Sequence, residues 1–133
     1  DRVGAENFFL FGLTADQVDA ERALPDHASR AIAAEPRLGA ALKAIARGEF
    51  SQPEPERFRS ITDNVGGSDY FLVASDFADY WRAQREVDAT FATPDQWMRK
   101  AALNTARSGW FSSDRTILGY NSDIWHATSL LDG

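Results

Sequence analysis

Ser112, Ser113, Asp114 and His126 are the residue types of a hydrolase triad: hydroxyl nucleophile, carboxylate and imidazole. Their order does not make a nucleophile elbow, which sets the serine on a sharp turn between a strand and a helix. Three small polar residues ahead of an apolar-periodic stretch read as a helix cap. His27 and His126 are the only histidines, and cysteine is absent. Two imidazoles so far apart in sequence do not suggest a metal site. His126 fits a helix C-terminus, where its cation is favoured, and His27 a surface position. Asp76 with Asp79, and Glu86 with Asp88, are carboxylate pairs of the kind that act as acid and base. That role needs a cleft and two different environments. On an amphipathic helix such pairs read as a solvated face or as partners of the helix dipole.

Lys43 and Lys100 are the only lysines and the only candidates for a Schiff base. Neither has a distinctive neighbourhood, and both read as helix-surface residues. Gly66-Gly67 lacks the Lys-Ser/Thr ending of a phosphate loop and the spacing of a dinucleotide fingerprint. The tryptophans at 81, 97, 110 and 125 could stack on sugar rings. Trp81 and Trp97 fall on apolar helical faces and read as core. Trp110 sits between helices and is the most open to a ligand.

These residues need elements to hold them. Residues 7–12, Asn-Phe-Phe-Leu-Phe-Gly, read as a strand with both faces apolar. Thr14 and Gln17 have capping-box spacing and predict a helix over 15–23, interrupted at Pro25. A short helix is expected over 27–34. Pro36 suits a first helical turn, Leu38, Ala41, Leu42 and Ile45 share one face, and Gly48 ends that helix. A proline-containing loop spans 51–55. Phe58, Ile61 and Val65 predict another helix, broken at Gly66-Gly67-Ser68-Asp69. Residues 70–74 read as a second doubly apolar strand, with Ser75 capping the helix that carries Phe77, Tyr80, Trp81, Gln84, Val87 and Phe91. Thr93-Pro94-Asp95-Gln96 combines a capping box with proline at the first helical position. Trp97, Ala101 and Asn104 continue that helix, and Gly109 is placed to end it. The last helix carries Ile117, Tyr120, Ile124 and Trp125, and residues 128–133 are expected to fray.

The expected fold class is mostly α with about two short strands. Strands apolar on both sides call for helices on both faces of a sheet. Two of them do not make that sheet. The missing strands are therefore expected from upstream sequence or a second molecule. The 133 residues are 44% hydrophobic and 26% charged, which argues against disorder. No apolar run nears the roughly 20 residues that cross a bilayer. The opening Asp1-Arg2-Val3-Gly4 has neither the basic nor the apolar region of a signal peptide. A net charge of −6 disfavours nonspecific binding to nucleic acid or an anionic membrane. The lack of cysteine excludes disulfides and suits a reducing cytosol.

Glu6-Asn7-Phe8-Phe9-Leu10-Phe11-Gly12-Leu13 resembles the segment that follows the catalytic core in glycogen and α-glucan (maltodextrin) phosphorylases. Asp76-Phe77 with Tyr80 and Gln84 resembles that family's aspartate-aromatic-tyrosine-glutamine helix, and Trp97 its tryptophan after a proline-containing cap. Ser108-Gly109-Trp110-Phe111-Ser112-Ser113-Asp114-Arg115-Thr116-Ile117, with Tyr120, Ile124 and Trp125, is similar to its closing signature. The matches fall in order from about Ala5 to Trp125. The stretch 25–67 is loose.

The resemblance implies a parent enzyme that cleaves α-1,4-glucan with phosphate and releases glucose 1-phosphate, using lysine-bound pyridoxal phosphate. Its attachment lysine would lie upstream of Glu6, and neither Lys43 nor Lys100 matches its motif. No catalytic, cofactor or metal residue carries over onto this chain. The resemblance makes residues 1–133 one segment: the carboxy-terminal, structural part of the cofactor domain, closing a Rossmann-like, glycosyltransferase-type α/β fold. Its partner would be the rest of the chain, within an allosteric, homodimeric, cytoplasmic enzyme. Ser112 to Ile117 would serve as a cap and packing turn, with Arg115 placed to pair with an acidic neighbour. The competing readings are an independent glucan-binding or protein-interaction helical module around exposed tryptophans, and a small hydrolase using Ser113 and His126.

Overall fold

In a computed structural model, which describes residues 2–128, the chain is helical: α1 Ala15–Arg22, α2 His27–Ala34, α3 Pro36–Ala46, α4 Arg59–Gly66, α5 Val73–Phe91, α6 Pro94–Arg107 and α7 Ser113–Tyr120. Short 3₁₀ turns occupy Ala5–Asn7, Pro55–Phe58 and Ser108–Phe111, and a π turn follows α7 over Asn121–Trp125. Apart from Thr128, the tail expected to fray lies outside the described residues.

The helix starts follow the local chemistry. The side-chain oxygen of Gln17 accepts the Thr14 N–H at 2.9 Å, the reach-back half of a capping box. Pro36 sits at the start of α3, with Glu35 before it as cap, its carboxylate accepting the Arg37 N–H at 3.2 Å and the Arg37 guanidinium at 2.7 and 2.5 Å. Ser112 caps α7 by accepting the Arg115 N–H at 3.2 Å. Thr93 precedes α6 as expected, but its hydroxyl turns back to the Ala89 carbonyl at 3.4 Å and does not cap. Gly48, at φ +69°, ends α3 by allowing an approach that a side chain would block: a Cβ there would lie 2.7 Å from Pro55 Cα.

The two expected strands do not form. Among the described residues there is no strand and no sheet, which overturns the reading as a closing piece of a Rossmann-like α/β domain. Short apolar runs do not distinguish a strand from other buried or half-buried segments. Over residues 70–74 the chain turns instead of extending. Asp69 and Leu72 both have positive φ (37° and 57°), and the Leu72 N–H reaches the Asp69 carbonyl at 2.7 Å. α5 starts at Val73, two residues before the expected Ser75 cap, because the Asp69 carboxylate accepts the N–H groups of Val73 and Ala74 at 2.9 and 2.8 Å. Asp69 is fully buried in that role. Ser75 lies inside the first turn and donates to Glu21 at 2.9 Å.

The chain divides into two compact units. One is Leu10–Val87 and the other joins Asp1–Phe9 to Asp88–Gly133. In the central unit Leu38, Val65 and Ala74 form a core, with Ala31, Ile32, Leu42 and Phe77 packed on it. In the terminal unit no apolar side chain among the described residues is buried. There Trp97 meets Phe91 edge-on at 5.1 Å and stacks near Phe9 at 6.4 Å. The turn after α7 is closed by Asn121. Its side chain donates to the Ala127 carbonyl at 3.0 Å and accepts the Ala127 N–H at 2.8 Å, while His126 takes a left-handed φ of 52°.

Candidate functional site

The carboxylate pair Asp76 and Asp79 lies together on α5, as its spacing requires, but serves the backbone. Asp76 accepts the Leu13 N–H at 2.9 Å and Asp79 the Gly12 N–H at 2.8 Å. Arg82 ion-pairs with Asp79 at 2.7 Å and donates to the Leu10 carbonyl at 3.3 Å. It also pairs with Glu86. The Arg82 guanidinium, and then the Gly12 N–H, hold the Asp79 carboxyl below its ordinary value. Both aspartates are engaged as acceptors of backbone N–H groups, and the lowered Asp79 does not suit a general acid. Gly12 is at φ +89°, and a Cβ there would meet the Asp76 carboxylate at 2.8 Å, so the turn fits tightly. This grip supplies at Leu10, Gly12 and Leu13 what a neighbouring strand would have supplied.

The terminal unit holds the stretch around its 3₁₀ turn Ala5–Asn7 with side-chain donors. On α6 the Lys100 ammonium donates to the Glu6 carbonyl, the Asn104 amide to the Asn7 carbonyl, and Arg107 to the Val3 carbonyl at 2.7 Å. Asn7 is buried, with its amide donating to Val3 at 2.8 Å and Glu6 at 2.9 Å.

The remaining candidates are not assembled into a centre. Ser112 is occupied as a cap. α7 and the π turn put on the order of 15 Å of helix between Ser113 and His126, which precludes a shared proton. No group of three or more metal-ligating side chains occurs among the described residues. His27 and His126 belong to different units. Lys43 is exposed on α3, and Asp88 does have a partner. Trp81 and Trp97 are half-buried. Trp110 is covered by two guanidinium groups, Arg2 at 3.7 Å and Arg115 at 4.0 Å from its ring centre. Arg115 thus lies over an indole, with its Nε donating to the Trp110 carbonyl, in place of the acidic neighbour expected for it.

Among the described residues the pattern left is one of caps and grips beneath exposed aromatics, with no reacting group poised over a cleft. The profile of the carbohydrate phosphorylase family matches residues 1–127. The chain belongs to that family. It is similar to the glycogen phosphorylase of Synechocystis, with 41% identity over 94% of this chain and 15% of that protein. An α-glucan phosphorylase H isozyme of Vicia faba is 38% identical over 95% of the chain and 15% of its own length. The human brain form of glycogen phosphorylase is 38% identical over 94% and 15%. The chain therefore spans about 15% of the length of these phosphorylase relatives. No helix among the described residues is long and apolar enough to cross a membrane.

Sequence reasoning missed Asp69, Glu35 and the α6 grip. Asp69 carried a signal, an aspartate closing a glycine-serine turn just before a helix, but the apolar residues after it were assigned to a strand. The grips carried none, because their partners lie far apart in sequence.

Proposed function

We infer that this chain is the carboxy-terminal, structural part of the cofactor-binding domain of a pyridoxal-phosphate-dependent α-glucan phosphorylase, and that these 133 residues are inactive alone. The full enzyme would cleave α-1,4-glucan with inorganic phosphate to give glucose 1-phosphate, as a cytoplasmic homodimer. The observation that carries this reading is the match across nearly the whole chain to about 15% of each relative. The exposed apolar side chains of the terminal unit support it. Phe111, Leu118 and Ile124 are each more than 60% exposed, which fits surfaces that other parts of a longer chain cover.

The residues present do not fit pyridoxal phosphate. An imine needs a free amine in a pocket. The Lys100 ammonium is held by the Glu6 carbonyl with the Phe9 ring 5.3 Å away, and Lys43 is exposed. The reading therefore assigns the attachment lysine to sequence upstream of Glu6. A glucan-binding module built on Trp110 is weakened by the two arginines over that ring.

The test is direct. The purified chain, incubated with pyridoxal phosphate, maltooligosaccharide and phosphate, should yield neither bound-cofactor absorbance nor glucose 1-phosphate. Either product would overturn the assignment of an inactive structural part. Absence of a pyridoxal-lysine motif from the residues encoded before Asp1 would overturn the parent enzyme.

A further inference from the structure

Where the Gly12 turn lies against α5, the central unit leaves a half-open hollow of about 280 Å³, lined by Phe11, Phe71, Val73, Asp76, Phe77 and Tyr80. Neither a grip nor a cap explains its aromatic content, since four of the six lining residues carry rings. Phe11 meets Tyr80 at 5.1 Å with 68° between the ring planes, and Phe77 meets Tyr80 at 6.4 Å with 49°. Rings set at such angles make a rounded wall, not the parallel slot that a flat ligand needs. Sites for drug-sized molecules run to roughly 300–1,000 Å³, so this hollow suits one small, globular group.

The lining selects a chemistry. Its one charged side chain is Asp76, and it holds no lysine, arginine or histidine. Asp76 Oδ1 accepts the Leu13 N–H at 2.9 Å, which fixes the carboxylate in place. Ring faces carry negative charge density, so rings and carboxylate draw the same sign of ligand, a cation. A metal ion needs several oxygen ligands, and an ammonium with N–H groups needs an acceptor for each; one carboxylate supplies neither set. An ammonium whose N–H groups are replaced by methyl groups needs no such partners. It is globular, its methyl groups pack on rings, and its charge is answered by Asp76.

We propose that this hollow binds a methylated ammonium group, with Phe11, Phe71, Phe77 and Tyr80 around the methyl groups and Asp76 beside the charge. The site goes beyond the phosphorylase reading and rests on none of it. A free small molecule and a methylated lysine side chain present the same group, so both are titrated. Choline, its neutral carbon isostere 3,3-dimethylbutan-1-ol, and a short trimethyllysine peptide with its unmethylated twin are added to the whole chain at constant ionic strength, with backbone amide resonances followed by NMR. Saturable choline shifts centred on residues 11–13 and 71–80 are expected, with affinity about tenfold above that of the isostere. Phe71 is 73% exposed, so Phe71→Leu keeps the fold and an apolar wall; it should weaken choline about threefold and leave the isostere unchanged. Asp76→Asn keeps an oxygen for the Leu13 N–H and should weaken choline about fivefold. Tighter binding of the methylated peptide than of choline, absent in its twin, assigns the group to a protein side chain; the reverse order assigns it to a free solute. Equal affinity for choline and isostere, no shift in these residues with millimolar choline or methylated peptide, or full choline affinity in Phe71→Leu would each overturn the site.

Discussion

The Leu10–Val87 unit is held from inside, whereas the unit joining Asp1–Phe9 to Asp88–Gly133 is held along its edges. All six buried apolar residues among those described, Ala28, Leu38, Val65, Leu72, Ala74 and Ala83, lie in the first. Among the described residues of the second, the one buried side chain is Asn7, an amide. Each also secures a stretch of chain outside the α-helices, and the two do so with different chemistry. The central unit offers carboxylates to the Gly12 and Leu13 N–H groups, with Arg82 added on the Leu10 carbonyl, and the terminal unit offers ammonium, guanidinium and amide donors to carbonyls. Backbone outside α-helix and strand must still have its polar groups met, and the sign of the side chain follows which group faces the helix. One unit should therefore respond to core truncation and acid, and the other to neither.

The largest expected effect is on the core. Leu38→Ala should cost about 2–4 kcal/mol by leaving a cavity, read as a lower urea midpoint in probes of the central unit. Equal loss in probes of the terminal unit would show that the two melt as one. Next is Asp69→Ala, which removes the acceptor for two N–H groups in a buried position and should cost about 1–3 kcal/mol in urea unfolding. Gly12→Ala places a side chain at φ +89° against Asp76 and should cost about 1–2 kcal/mol, with Leu13 exchanging its amide hydrogen faster. In the terminal unit Asn104→Ala should cost about 0.5–1.5 kcal/mol and speed proteolysis near Val3.

The smallest effect distinguishes the two grips by pH. A carboxyl held below its ordinary value of 3.8 contributes stability that is complete above that value and is lost as pH falls through its lower folded value. The Gly12 amide resonance should therefore move below about pH 4 as Asp79 takes up its proton. A side-chain amide carries no carboxyl to protonate, so the Asn104 side-chain amide should hold its position. Parallel titration of both signals would erase the proposed contrast.

Much of the helical plan was legible in the sequence because helix ends are local. Pro36, Pro94, Ser112 and the Thr14–Gln17 pair each mark a boundary within four residues of themselves. The runs at 7–12 and 70–74 were misread because apolar content without alternation does not fix a conformation. Two left-handed residues turned the second run, and side chains 67 and 94 positions away in sequence served the first and its flank. The candidate site was legible mainly in the negative: spacing alone showed that serine, carboxylates and histidines fall into no catalytic order. The aromatic hollow beside Asp76 and the two arginines on Trp110 required coordinates, since both depend on which side chains meet in space.

The Asn121 clasp on Ala127 gives the molecule a chemical clock. Water slowly hydrolyses such side-chain amides, releasing ammonia and leaving a carboxylate. At this position the product would have lost its donor and would set a negative oxygen against the Ala127 carbonyl. Ageing in storage would then loosen the turn after α7, while the carboxylate-held stretch at Gly12, which uses no side-chain amide, would stay as it was.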